Sequence, residues 1–129
     1  MNEQAICSST GWAIGWLVGN AIYDFSGQPR AFLEDAGVFS FEADHLGEFY
    51  DGYFRDHAGD AVAFVEGARD GPPLPSDRHS APELPELKDL PTQPAIPTTP
   101  APCPGTQRWS ENPWNSDLHG WRPYRIADR

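Results

Sequence analysis

Disulfide chemistry has little to work with in this chain. Two cysteines, Cys7 and Cys103, stand among its 129 residues. They are far apart and no CxxC occurs, so there is no disulfide framework, and a reducing, cytoplasmic setting is expected. Long apolar runs are also missing. No stretch approaches the roughly 18–20 residues of a membrane helix, and no membrane partner is expected. The apolar patch near the N-terminus has no basic flank and is broken by Gly11, Gly15 and Gly19, unlike a signal peptide. The closing IADR is not a lipidation signal. Positive charge is scarce, with nine Lys and Arg against nineteen Asp and Glu, a net of −10. Such a field repels phosphate backbones, which speaks against a nucleic-acid partner. Neither HExxH nor GxSxG is present, and no nucleophile stands at matching spacing from a histidine. The reading leans away from an enzyme, and no cofactor is implied.

Proline is nearly absent from the first half. Of 14 prolines, only Pro29 precedes Arg69. Charge divides at the same place: residues 1–68 hold eleven acids and two arginines, net −9, whereas residues 69–129 hold eight acids and seven bases, net −1. The expected organisation is an acidic domain over 1–68, a proline-rich extended strap over 69–106 and a Trp/Arg-rich segment over 107–129.

The first 68 residues repeat themselves four times. The copies are ICSSTGWAIGW from residue 6, IYDFSGQPRAF from 22, FSFEADHLGEF from 39 and FRDHAGDAVAF from 54. The first position is apolar (Ile6, Ile22, Phe39, Phe54), the sixth is a turn residue (Gly11, Gly27, Asp44, Gly59) and the eleventh is aromatic (Trp16, Phe32, Phe49, Phe64). A second turn signal follows each copy. Glycine or aspartate at a turn supplies the positive φ of tight hairpin turns. The pattern predicts an all-β domain of four short hairpins around a pseudo-four-fold axis, because isolated hairpins are marginal and four can cover one another's edges. The first and eleventh positions are expected to pair across each hairpin and form the core.

The segments YDFSGQPRAFLEDAGVFSF and GEFYDGYFRDHAGDAVAFVEGA carry a resemblance. The chain resembles the four-fold beta flower proteins, a family of small bacterial proteins, over roughly residues 6–68. The family pattern also continues into a proline-rich tail ending in tryptophans, as in RWSENPWNSDLHGW here. Copy one departs most, with CSSTG in place of the Asp-x-x-Gly found at Asp24 and Asp56. The resemblance implies a fold and carries no catalytic residues.

Within the repeat, carboxylates recur at Glu34, Asp51 and Glu66. Ringed on one face they are weak candidates for a hard cation, against the plainer reading of solvated turns. His45 and His57 lie beside equivalent turns and read as solvent-exposed. Arg30 and Arg55 are expected to neutralise surface acids, and Cys7 reads as an unreactive thiol.

The tail keeps phase. Pro73, Pro82, Pro85, Pro91, Pro94, Pro97 and Pro100 share one phase of three; Leu84, Leu87, Leu90 and Ile96 share another; Glu83, Glu86 and Asp89 take the third. A polyproline II helix has three residues per turn, so these become ridges. Farther on, Trp109, Trp114, Trp121 and Tyr124 stand among arginines, the composition of interface anchors. The expected function is a non-enzymatic protein-binding or assembly module. Leu84, Leu87, Leu90 and the aromatic set would dock on the β domain, on a sister subunit in a homo-oligomer, or on a partner protein. The alternative is a small-ligand, cation or carbohydrate binder, or an enzyme, with a site on the repeat axis or under the tail.

Overall fold

The computed structural model describes residues 3–81, 83–96, 104–111 and 114. Eight strands follow in chain order: β1 Glu3–Cys7, β2 Ala13–Val18, β3 Ala21–Asp24, β4 Pro29–Glu34, β5 Gly37–Phe39, β6 His45–Tyr50, β7 Tyr53–Arg55 and β8 Ala61–Phe64. Each pairs antiparallel with the next, and β8 returns to β1 through Cys7 and Phe64, closing a barrel. The described residues contain no helix, and none long and apolar enough to cross a membrane. The pairs β1–β2, β3–β4, β5–β6 and β7–β8 are the four predicted hairpins, termed blades one to four.

Each blade turns by the same chemistry. The turns open on Ser8, Asp24, Ser40 and Asp56, whose backbone N–H donates to the carbonyl four residues on, at 2.8–2.9 Å. Their side-chain oxygens accept backbone N–H groups two and four residues ahead: Asp24 Oδ1 from Ser26 and Gln28 at 2.9 and 3.0 Å, and Ser40 Oγ from Glu42 and Asp44 at 3.2 and 3.1 Å. Ser8 and Asp56 do likewise. Serine therefore replaces aspartate in copy one without changing the turn, since either oxygen serves an Asx- or ST-type bond. The fourth turn residue is left-handed in every blade: Gly11, Gly27, Ala43 and Gly59, with φ of 94°, 90°, 71° and 89°.

This geometry corrects the sequence frame of copy three. The equivalent of Ile6, Ile22 and Phe54 is Val38, not Phe39, and the turn residue is Ala43, not Asp44. The starts at 6, 22, 38 and 54 are then evenly sixteen residues apart. The expected pairing is corrected too. A bulge in each hairpin shifts the register, so Ile6 faces Gly15, Ile22 faces Ala31, Val38 faces Gly47 and Phe54 faces Ala63. The eleventh positions pair one residue earlier, as in Ala21 with Phe32 and Tyr53 with Phe64. Side chains alternate across a strand, so first and eleventh positions lie on opposite faces.

The interior is the face shared by all eight strands. Ile6, Ile14, Leu17, Ile22, Val38, Leu46, Phe54 and Val62 form one cluster, with Leu33 and Phe49 packed against it. Large residues on it face Gly15, Ala31, Gly47 and Ala63, which lets a narrow barrel fill without voids. The other face is also buried: Trp16 is 4% exposed, and Phe32 and Phe64 are fully enclosed. In three of the grooves on that outer face, the cover comes from the tail.

Candidate functional site

Where neighbouring blades meet, the outer face carries a groove flanked by cross-strand partners. The four pairs are Trp16–Tyr23, Phe32–Phe39, Glu48–Arg55 and Phe64–Cys7. Trp16 and Tyr23, with Ala21, pack against Leu84 and Leu87 of the strap. Cys7, Tyr53, Ala61 and Phe64 pack against Leu74 and Trp109. Arg78 lies over the Phe64 ring at 5.2 Å and pairs with Glu66 at 2.6 Å. Burial raises the Cys7 thiol above its ordinary pKa, so it is a packing group and a poor nucleophile.

The strap is also held by backbone bonds that repeat. The carbonyl of Gly11 accepts the N–H of His79 at 3.1 Å, that of Gly27 the N–H of Lys88 at 2.9 Å, and that of Gly59 the N–H of Thr106 at 3.1 Å. Two residues earlier, the strap carbonyls of Asp77, Glu86 and Pro104 lie where a Cβ on Gly11, Gly27 or Gly59 would stand. The glycines thus serve twice, taking positive φ and admitting a second backbone. The clasps step along the strap by nine residues from blade one to blade two, then by eighteen to blade four. The nine-residue step is a multiple of the three-residue phase of Pro and Leu in the strap sequence, so residues of the same phase arrive at Gly11 and Gly27. Beside the first clasp, Trp12 stacks on His79 with centroids 3.6 Å apart.

Blade four takes the most of the tail. Ala61 N–H donates to Arg108 O at 3.1 Å, and Ser110 N–H returns to Ala61 O at 2.8 Å, a short parallel bridge centred on Trp109. Asp60 Oδ1 accepts from Thr106 Oγ1 at 2.7 Å and from Arg108 Nε at 3.0 Å. Trp109 donates through Nε1 to Pro73 O at 3.1 Å. Trp114 N–H bonds Val62 O at 3.1 Å, and its ring lies 4.9 Å from Phe54, within the interior cluster.

The groove between blades three and four is polar. Arg55, 2% exposed, donates to Gly59 O at 2.7 Å, Thr106 O at 3.0 Å and Asp70 O at 3.1 Å. It lies 5.4 and 5.2 Å from the Tyr50 and Tyr53 rings, and Gly105 sits where any Cβ would meet its guanidinium. Glu48 is 4% exposed. Its Oε2 is 3.0 Å from His45 Nε2, an approach that lacks hydrogen-bond angles. Burial raises the Glu48 carboxyl above its ordinary pKa, opposed by nearby His57. Burial lowers His45 and His57, helped at His57 by His45. His57 Nε2 contacts His45 O at 3.0 Å. Four buried side-chain N or O atoms lack a partner among the described residues, and three belong here: His45 Nε2, Glu48 Oε1 and Arg55 Nε.

The structure corrects several sequence expectations. His45 and His57 are half-buried, not solvent-exposed; they pack edge to face at 5.0 Å in this groove, His57 from within the blade-four turn. Arg30 does pair with an acid, Asp24, at 3.0 Å. The Asp24 carboxyl is held below its ordinary pKa: desolvation, its largest influence, is outweighed by hydrogen bonds from Ser26, Gln28 and Arg30. Arg55 neutralises no surface acid, being buried among carbonyls. Of the leucine ridge, Leu84 and Leu87 share the groove at Trp16, whereas Leu90 is exposed. Trp109 and Trp114 both sit at blade four but in separate clusters; Trp121 and Tyr124 lie outside the described residues. Glu34, Asp51 and Glu66 are exposed at the inter-blade turns. Among the described residues no three His, Cys, Asp or Glu side chains stand close enough to hold a metal ion. The slipped frame of copy three concealed the polar groove, because it put Phe49 where Glu48 belongs. An even sixteen-residue spacing was the signal for it.

No curated protein and no solved structure matches the chain. A family profile does, the 4-fold beta flower protein, over residues 4–118. That span takes in the eight strands, but for the first residue of β1, and the tail to residue 118, so the chain belongs to the 4-fold beta flower family.

Proposed function

We propose that the protein is a non-enzymatic binding and assembly module whose outer face receives an extended, proline-rich chain. One observation carries this: the same clasp recurs at Gly11, Gly27 and Gly59. A receptor that reads backbone at fixed steps, with pockets between, is the recognition mode of extended peptides. The occupant is a protein segment, whether this chain's own tail, that of a sister subunit, or a partner's. Fragment complementation tests it. Residues 1–70 and 71–129, co-expressed as separate chains, are expected to co-purify as a one-to-one complex. A 1–70 fragment recovered alone, melting like the intact chain, would sink the reading.

A second reading, a small polar ligand beneath the strap, is favoured by three buried atoms of Glu48, His45 and Arg55 that lack a hydrogen-bond partner among the described residues. Buried polar groups normally find partners. Its test is a melting screen of the intact chain against small amides and carboxylic acids. A rise in Tm that Glu48→Gln abolishes supports this reading, and a flat screen discards it.

A further inference from the structure

The buried atoms without a hydrogen-bond partner in the groove between blades three and four are Glu48 Oε1, His45 Nε2 and Arg55 Nε. They come from adjoining strands. Glu48 and Arg55 are cross-strand partners of β6 and β7, which sets their Cβ atoms about 5 Å apart on one face. His45 Nε2 lies 3.0 Å from Glu48 Oε2. The ion pair that this register offers is not made. Arg55 directs its terminal nitrogens to the carbonyls of Gly59, Thr106 and Asp70, and among the described residues Glu48 approaches His45 instead. Glu48 and Arg55 are 4% and 2% exposed. Polar atoms so deeply buried normally have partners, and leaving them without is costly.

The three atoms differ in what they need. Arg55 Nε–H can only donate, and an ionised Glu48 can only accept. Burial lowers His45, against a bond to the Gly47 backbone that favours the protonated ring. The ring therefore donates there, and Nε2 is left as the acceptor of the neutral imidazole. A guest that satisfies all three must bring two donors and one acceptor. We infer that this groove binds a primary carboxamide, whose NH2 donates to Glu48 Oε1 and His45 Nε2 and whose carbonyl accepts from Arg55 Nε. This rests on the small-ligand reading above and names the ligand class. Other chemistries leave a mismatch. A carboxylate brings no donor and sets its charge against Glu48. An ammonium brings no acceptor and sets its charge against Arg55. A metal ion is not served, since among the described residues no three His, Cys, Asp or Glu side chains stand close enough to hold one. The amide is neutral, so the opposite charges of Glu48 and Arg55 stay in balance. Gly105 of the strap lies over the Arg55 guanidinium, whereas His45 and His57 are half-buried; the imidazole side is the way in.

The test titrates the full-length, nitrogen-15-labelled chain at neutral pH with small guests and follows its backbone and imidazole NMR signals. Acetamide is expected to shift His45, Gly47, Glu48 and Arg55 and to saturate. Acetate, and N,N-dimethylacetamide, which keeps the carbonyl and loses both donors, are expected to leave those signals in place. Glu48→Gln should weaken acetamide binding about tenfold or more, the worth of a hydrogen bond to a charged group; should that variant fail to fold, the guest series on the wild-type chain still decides. The tripeptides Gly-Gln-Gly and Gly-Glu-Gly separate the sources. Binding of the first alone assigns the carboxamide to a glutamine side chain, and binding of acetamide without either assigns it to a free small amide. Acetate or N,N-dimethylacetamide shifting the same signals as strongly as acetamide would overturn the carboxamide and leave the small-ligand reading standing. Silence from every guest would overturn both.

Discussion

Arg55 and Thr106 stand 51 residues apart in sequence, and the guanidinium of one donates to the carbonyl of the other at 3.0 Å. The same guanidinium reaches Asp70 O, at the root of the strap, and Gly59 O, in the blade-four turn. One buried side chain thus fastens the strap to one blade at two places, Asp70 and Thr106. Its partners are carbonyls, which suits the planar fork of an arginine and not the point charge of a lysine.

Arg55→Ala is therefore expected to cost about 3 kcal/mol or more, since three carbonyls, one buried and two partly so, lose a donor and a large side chain leaves a void. Arg55→Lys recovers only part of this. Urea denaturation of the intact chain measures both; equal stability of wild type and the alanine variant would contradict the fastening role.

The glycines separate backbone strain from strap contact. Gly59 and Gly67 both have positive φ, at 89° and 88°, but a Cβ on Gly67 meets nothing whereas one on Gly59 meets the strap carbonyl of Pro104. Gly67→Ala is expected to cost about 1–2 kcal/mol from the left-handed backbone alone. Gly59→Ala should cost about 1–2 kcal/mol more through the lost clasp and should render Arg108 a faster tryptic site. Indistinguishable melting and digestion of the two variants would count against the clasp.

The ridges of the tail should prove unequal. Trp114 joins the interior cluster and is 6% exposed, whereas Leu90 is 45% exposed. Trp114→Ala is expected to cost about 3–5 kcal/mol, and Leu90→Ala to stay within about 0.5 kcal/mol. Leu87→Ala, in the Trp16 groove, falls between. Thermal melts rank the three, and a Leu90 variant as damaged as the Trp114 variant would refute the ordering.

The polar groove should make stability depend on pH. His45 and His57 have folded pKa values below their ordinary value near 6.5, so the unfolded chain binds protons first as pH falls. Their contribution is whole above that ordinary value and is lost as pH falls through 6.5 toward the lower folded values. Glu48 acts oppositely. Its folded pKa is raised above 4.5, so it costs nothing below 4.5 and destabilises as pH rises through 4.5 toward the folded value. Tm is expected to fall from pH 7.5 to 5.5, with a shallower slope in the His45→Gln/His57→Gln variant and a steeper one in Glu48→Gln. Parallel Tm profiles for all three proteins would remove the groove from this account.

Some of this was legible in the residues. Turn chemistry is local: an Asp or Ser whose side chain bonds the backbone just ahead, followed by a residue at positive φ, needs only neighbours in sequence. Four such turns with alternating apolar residues between them announce four hairpins, and no distant contact is required to see it. The three-residue phase of Pro, Leu and Glu in the tail was likewise open to reading, because it is a pattern of near neighbours in sequence.

Whatever depends on non-local distance was settled only when the chain closed on itself. The bulge that puts Ile6 opposite Gly15 is a matter of register, and it decided that first positions face inward and eleventh positions outward. Copy three misled because Phe39 and Phe49 mimic the aromatic pattern one residue late, whereas burial put Val38 inside and Glu48 in an outer groove. The match of a nine-residue strap step to a sixteen-residue blade step, seen at Gly11 and Gly27, cannot be read from either repeat alone. It arises because a closed barrel sets the spacing of its turns in space, and an extended chain must meet that spacing at its own rise per residue.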